Sequence, residues 1–218
     1  MKEKQEIKKL EALEKEKQRF LQMCAYEMEA YNAGARLVAG TDEAGRGPLA
    51  GPVVAACVIL PREVFIPGLN DSKKCTPRQR DRLYDEIVDK AVALGIGISD
   101  EKCIDEINIL NATKKAMVTA FNELKPVPDL LLIDAVRLEM LDVPQKPIIK
   151  GDSLSISIAA ASILAKVTRD RLIDEMDAVY PQYGFVRHKG YGTEEHINAI
   201  KKYGICPIHR ISFIKNFV

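Results

Sequence analysis

Four carboxylates stand apart from the ordinary surface acids of this chain: Asp42, Glu43, Asp134 and Asp152. Asp42 and Glu43 are adjacent and are followed at once by Gly45, Arg46 and Gly47. Asp134 closes the apolar run Leu130-Leu-Leu-Ile133, and Asp152 occupies a Gly-Asp-Ser turn after Ile148-Ile149-Lys150. Any single acid at a strand end can be a turn or a helix cap, and Asp152 is well placed to cap the helix after it. Four such placements point to something positive among them. An all-oxygen donor set, without histidine or thiolate, selects hard cations such as Mg2+ or Mn2+ over zinc. Clustered bare carboxylates resist full ionisation, and a divalent ion removes that cost. The chemistry suited to such a cage is phosphoryl transfer, with two ions about 3.5–4 Å apart serving the attacking water and the leaving oxygen. One geometrical objection stands. Neighbouring strand residues point to opposite faces, so Asp42 and Glu43 need a bulge at Gly40 or Gly45, or ligation through a main-chain carbonyl.

Two nucleotide-binding patterns in the same stretch fail on their context. Gly40 and Gly45 have the spacing of a phosphate-binding loop, but Arg46-Gly47 stands where Lys followed by Ser or Thr is required. Gly45-x-Gly47-x-x-Ala50 imitates a dinucleotide fingerprint, yet Pro48 and the valines after Gly51 open a strand rather than a helix.

The elements that must position these acids alternate in period. Leu37 to Thr41 and Pro52 to Leu60 read as buried strands, β-branched and bounded by glycine and proline. Thr76-Pro77 is an N-cap with proline at the first helical position, opening a helix through about Leu94. Gly95 to Ser99 is a short strand, and Asn108 to Leu124 has apolar residues at helical spacing. Asp129 to Asp134 and Pro147 to Lys150 are strands, and Ser155 to about Val179 is a long helix with a small-residue face at Ala159 to Ser162. A last helix starts at Gly192-Thr193, with Thr193 as N-cap. Strands alternating with helices after two sequential strands give a mixed α/β layered fold. Residues 1–36 form a charge-dense helical extension with a loose stripe of Ile7, Leu10, Leu13, Phe20, Leu21 and Cys24, expected to pack on the body by one face.

Composition bounds the function class. The 218 residues are 47% hydrophobic and 29% charged, as in a soluble globular protein. A formal charge of +1 announces no global nucleic-acid field, so basic surface must come from local clustering. Five scattered cysteines without a Cys-x-x-Cys pair argue against a disulfide framework or zinc site and fit a reducing, cytoplasmic location. No apolar run is long enough for a membrane span.

The chain closely resembles ribonuclease HII, the bacterial type 2 ribonuclease H. The resemblance is carried by Asp42-Glu-Ala-Gly-Arg-Gly47, Asn70-Asp-Ser-Lys-Lys74, Ile107-Asn-Ile-Leu110, Leu132-Ile-Asp134, Lys150-Gly-Asp152, Ser157 through Asp170, and His188-Lys-Gly-Tyr-Gly-Thr193. These segments occur in the family's order between about residues 37 and 213. The resemblance implies a ribonuclease H-like mixed sheet flanked by helices, with a helical C-terminal region, in a catalytic domain over residues 37–218. It implies a monomeric endonuclease, using Mn2+ or Mg2+, that cleaves RNA in RNA–DNA hybrids and incises 5′ of ribonucleotides embedded in duplex DNA. The expected ends are a 3′-hydroxyl and a 5′-phosphate.

By the family's pattern Asp42, Glu43, Asp134 and Asp152 are the metal and catalytic carboxylates. Gly45, Arg46 and Gly47 would read the sugar 2′-hydroxyl, mostly through main-chain groups, because glycine lets backbone approach a ligand closely. Tyr191 would stack against the adjoining nucleotide, and Lys73, Lys74 and Lys166 would contact phosphates. His188, beside Lys189, reads as a surface residue. The sister family ribonuclease HIII carries a sizeable N-terminal substrate-binding domain and usually a glutamate as fourth acid. Asp152 and the core-poor N-terminus favour HII. A non-catalytic binding module would need no acid cage, and a DNA resolvase or transposase with these acids would act on all-DNA junctions.

Overall fold

The computed structural model describes residues 2–215. Met1 and residues 216–218, the outer ends of the two units expected from the sequence, lie outside it. Five strands form one sheet: β1 (Val38–Ala44), β2 (Val53–Ile59), β3 (Ala93–Ser99), β4 (Leu130–Asp134) and β5 (Gln145–Ile148), in the order β3-β2-β1-β4-β5. β1 runs antiparallel to β2 and parallel to β4, and β4 runs parallel to β5. β2 is buried along its whole length, which is why it reads as an unbroken apolar run.

Eight helices complete the described chain: α1 (Lys2–Met23), α2 (Ala25–Asn32), α3 (Pro77–Lys90), α4 (Glu101–Asn122), α5 (Ile156–Val179), α6 (Phe185–His188), α7 (Glu194–Tyr203) and α8 (Ile211–Ile214). α4 covers one face of the sheet and α5 the other, with α3 packed on α5. α5 approaches so closely that a Cβ on Gly40 would lie 2.2 Å from the backbone of Ser157. Its alanine face makes that approach possible, and the approach lays residues at even positions of β1, Asp42 among them, against α5.

Two caps act as the sequence predicts: Thr76 and Gln79 exchange both hydrogen bonds of a capping box at α3, and Thr193 caps α7. At α5 the cap is Ser155, whose hydroxyl accepts the Ile158 N–H, and not Asp152, which lies three residues earlier in its own turn. Several boundaries differ. α3 stops at Lys90 rather than Leu94, because Ala93 to Ser99 pairs along the full length of β2. The helix expected from Asn108 is present, but a further turned segment from Glu101 precedes it. Asn108, at φ 64, breaks the two and caps the second through the Asn111 N–H at 3.1 Å. The strand expected at 147–150 lies at Gln145–Ile148, and α7 is followed by α8.

The N-terminal stripe also differs from expectation. Phe20 and Met23 are buried in the main core, Phe20 edge-on to Phe65, whereas Ile7, Leu10, Leu13 and Leu21 are exposed. The helix is interrupted at Cys24, and α2 then buries Glu27, whose carboxylate accepts from the Ser155 hydroxyl and from the Ser157 N–H at 3.0 Å. The two N-terminal helices are thus tied to the body from Glu16, which accepts the Gly68 N–H, to Glu27, and Ile7, Leu10 and Leu13 lie before that stretch. Glu27→Ala strands buried donors at the start of α5 and should cost about 1–3 kcal/mol. Leu10→Ala should stay within about 0.5 kcal/mol of wild type. Urea unfolding midpoints of the two variants check both values.

Candidate active site

The parallel pairing of β1 and β4 ends at Thr41 beside Ile133, so the next residues, Asp42 and Asp134, still paired to β2 and β5 on their other sides, stand as neighbours at the same edge. Asp152 reaches that edge from the turn after β5, where the Gly151 N–H donates to Asp134 Oδ1 at 2.8 Å. The ladder between β1 and β2 is unbroken from Ala39 to Ala44, so there is no bulge at Gly40. Asp42 faces α5 and is buried, and its Oδ1 accepts the Glu43 N–H at 2.8 Å. Glu43 leaves from the other face, one residue before the strand ends, and meets Arg46 at 3.3 Å.

The acids bear the electrostatic mark of crowding. Burial first, and then the Glu43 carboxylate, push Asp42 well above the usual aspartate range. Burial raises Glu43 against the opposing pull of Arg46. Asp152 is raised by burial, then by Asp71 and Asp134. Lys73 supplies the complement. Burial works against its charge, yet Asp152, Asp71, Asp42 and Asp134 hold its ammonium above the ordinary lysine range.

A cleft of about 190 Å³ opens beside the acids, lined by Glu43, the loop Ala44 to Gly47, Ser72, Lys73, Ser162, Lys166, Arg169 and Tyr191. It gathers six of the seven residues expected to touch substrate. Lys74 is the exception: it is exposed and donates to Ser153 at 3.0 Å, on the Asp152 side. Lys166 is held by Asp170 at 2.6 Å. The glycines of the loop differ in kind. Gly45 has φ +99, and a Cβ there would lie 2.1 Å from Arg169 Nε, so the loop needs glycine for its fold. A Cβ on Gly47 would meet only Tyr191 Cε1 at 3.5 Å, an ordinary contact. Among the described residues, no group of three or more His, Cys, Asp or Glu side chains already stands in metal-holding geometry. Each acid instead leans on a nearby protein donor, as mutual repulsion requires.

The chain and its fold have counterparts among known proteins. The family model of ribonuclease HII matches residues 39–216. A ribonuclease HII from Acetivibrio thermocellus is 68% identical over 216 residues, 99% of this chain and 84% of the relative. The chain belongs to the ribonuclease HII family. It is a metal-dependent endonuclease of the ribonuclease H type, a phosphodiester hydrolase acting on RNA–DNA hybrids. The ribonuclease H2 structure from Pyrococcus horikoshii OT3 is similar with a TM-score of 0.66 and 30% identity, covering 81% of this chain and 93% of that one. The RNase HII of a PCNA complex from Archaeoglobus fulgidus is similar at 0.67 and 25%, covering 80% and 94%. No helix among the described residues is long and apolar enough to cross a membrane.

Several residues that shape the site carry no local signal. Asp71 crowds Asp152, and Arg169 and Arg210 are wholly buried beneath the glycine loop. Arg169 lies in a segment that carries the family resemblance and Arg210 lies beyond the last of them, and apart from Lys189 their partners are more than a hundred positions away. His188 is not a surface residue. It is buried and stacks on His196 with ring centroids 4.5 Å apart. The Cys206 N–H donates to Nδ1 of His209 at 2.9 Å, which leaves the His209 proton on Nε2. That nitrogen faces His196 Nε2 at 3.1 Å, so the His196 proton sits on Nδ1 and donates to the Tyr191 carbonyl at 2.9 Å.

Burial, first among its causes, holds His196 down to about 4 from an ordinary 6.5. The unfolded chain then binds the proton more tightly than the fold does. The stability from the neutral ring is complete above about pH 6.5 and is lost as pH falls toward 4. By about pH 5 the loss from His196 is about 2 kcal/mol. Raised acids such as Asp42 act with the opposite sign, so a control variant is needed. Urea midpoints compared between about pH 7.5 and pH 5 should fall further in wild type than in His196→Asn.

Proposed function

We propose that this enzyme incises duplex DNA on the 5′ side of an embedded ribonucleotide, besides cutting RNA in hybrids, and leaves 3′-hydroxyl and 5′-phosphate ends. The observation that carries this reading is the cleft. It sets backbone of Gly45 to Gly47, able to test for a 2′-hydroxyl, between the acid edge and a half-exposed Tyr191. Lys73 and Lys166 line the same space and suit phosphates, which position a duplex without reading its sugar.

Asp42, Glu43, Asp134 and Asp152 would hold two Mg2+ or Mn2+ ions. The donor set fits: it is all oxygen, three of its members are raised by burial and mutual repulsion, and the acids already hold the Lys73 ammonium above its ordinary range. Bound divalent ions supply charge for the attacking water and the leaving oxygen. The residues of this chain place the sugar and the phosphate against that charge. Residues 1–36 are an extension to a catalytic unit over 37–218, and the enzyme acts as a cytoplasmic monomer.

Incision of a duplex bearing one ribonucleotide, assayed with Mg2+, Mn2+ and chelator, tests the reading, which fails if only continuous RNA is cut. Asp134→Asn keeps size and removes charge, so duplex binding should persist while cleavage falls by about two orders of magnitude or more. Near-normal turnover in that variant would remove Asp134 from the metal set.

Tyr191→Ala should harm incision at a single ribonucleotide more than cleavage within long RNA, since only the former has a deoxyribose for the ring to test. Gly47→Ala fits the free protein, so its thermal midpoint should hold while both activities fall. Parallel kcat/KM measurements on the two substrates check this pair, and equal losses for Tyr191→Ala would reduce Tyr191 to a packing residue.

A further inference from the structure

We infer that Arg210 is the positioning residue of the sugar-reading loop: it turns two backbone N–H groups of that loop toward the substrate cleft. The inference rests on the proposed reading of the 2′-hydroxyl by Gly45 to Gly47 and names what holds that backbone in place.

Arg210 is fully buried, lies outside the cleft and reaches the loop from the segment just before α8. Its Nη2 donates to the Gly45 carbonyl at 2.6 Å, its Nη1 to the Arg46 carbonyl at 3.0 Å, and its Nε to the Gly51 carbonyl at 2.8 Å. One planar guanidinium thus fixes two successive peptide units of the loop. Both are trans, since the cis bond of the described chain is Lys125-Pro126. In a trans peptide the C=O and the N–H point in opposite directions. With the carbonyls of Gly45 and Arg46 turned inward to Arg210, the N–H groups of Arg46 and Gly47 must point outward, where those residues line the cleft. Neither N–H donates to another protein group among the described residues. Two adjacent free donors suit an oxygen acceptor such as a 2′-hydroxyl.

The arrangement needs arginine. Lysine offers a single point of donation and cannot span three carbonyls in one plane. The fork is itself steadied by Phe213, whose ring lies 5.2 Å below it, and by Arg169, which donates to the Ala50, Pro52 and Lys189 carbonyls around it. Glu101 offsets both buried charges from a distance and Asp105 that of Arg210, and burial followed by Arg169 draws Arg210 down to about 9, still protonated at neutral pH.

The experiment compares wild type with Arg210→Lys by kcat/KM on a duplex containing one ribonucleotide. Alongside it, the inhibition constant of the same duplex in all-DNA form is measured at equal salt and metal. The all-DNA duplex is held by sugar-blind phosphate contacts, so its inhibition constant should change less than about 2-fold. Loss of one to two hydrogen bonds to the sugar should cut kcat/KM about 10-fold or more. An unchanged kcat/KM, or an equal loss in both measurements, would overturn the role. If Arg210→Lys does not fold, amide spectra of the wild type decide. Resonances of Arg46 and Gly47 should shift with the ribonucleotide duplex and not with all-DNA, and the absence of that difference overturns the inference. A wild type that does not separate the two duplexes would refute the 2′-hydroxyl reading itself. A wild type that separates them as well as Arg210→Lys does would refute Arg210 alone.

Discussion

The structure depends on holding like charges together. The parallel pairing of β1 and β4 sets Asp42 beside Asp134, the turn after β5 adds Asp152, and Glu43 follows Asp42 directly. Such a group would spread apart on a flexible surface. Here it is anchored to a sheet packed on both faces, by α4 and by the close-lying alanine face of α5. Apolar burial of this extent outweighs the repulsion of a few carboxylates. The remaining strain appears as raised proton affinity in Asp42, Glu43 and Asp152. A site built this way is poised for cations, and the protein's own Lys73 already answers the same field.

Around this acid edge the C-terminal third of the chain acts as a brace. Arg169 from α5 and Arg210 from the segment before α8 are both buried, and each donates to three main-chain carbonyls. Buried guanidinium groups without a directly bonded carboxylate are costly unless their donors are satisfied, and carbonyl oxygens satisfy them here. The same region sends the His209–His196 pair to the Tyr191 carbonyl. The loop Gly45 to Gly47 and the loop that carries Tyr191 are therefore shaped from beneath by one set of buried polar groups. This explains why a helical C-terminal region accompanies a sheet that already holds the acids.

Local sequence determined much of this. Thr76 and Thr193 cap the helices they were expected to cap, because a cap is a bond between near neighbours. The apolar runs of β1, β2 and β4 carry their burial in their own composition, and the acids at 42, 43, 134 and 152 announce themselves by ending or following such runs. Tertiary structure decided the rest. Whether Leu10 or Phe20 was the buried member of one stripe depended on where Phe65 and α5 lie. His188 is internal because His196 and Phe185 enclose it, which its charged neighbour Lys189 conceals. Arg210 is an unremarkable basic residue until the fold sets it under Gly45, 165 positions earlier. Caps and periodicity act over a few residues, where bond geometry dictates the outcome. Buried polar pairings depend on which distant segments the sheet brings together, and only the packed chain fixes that.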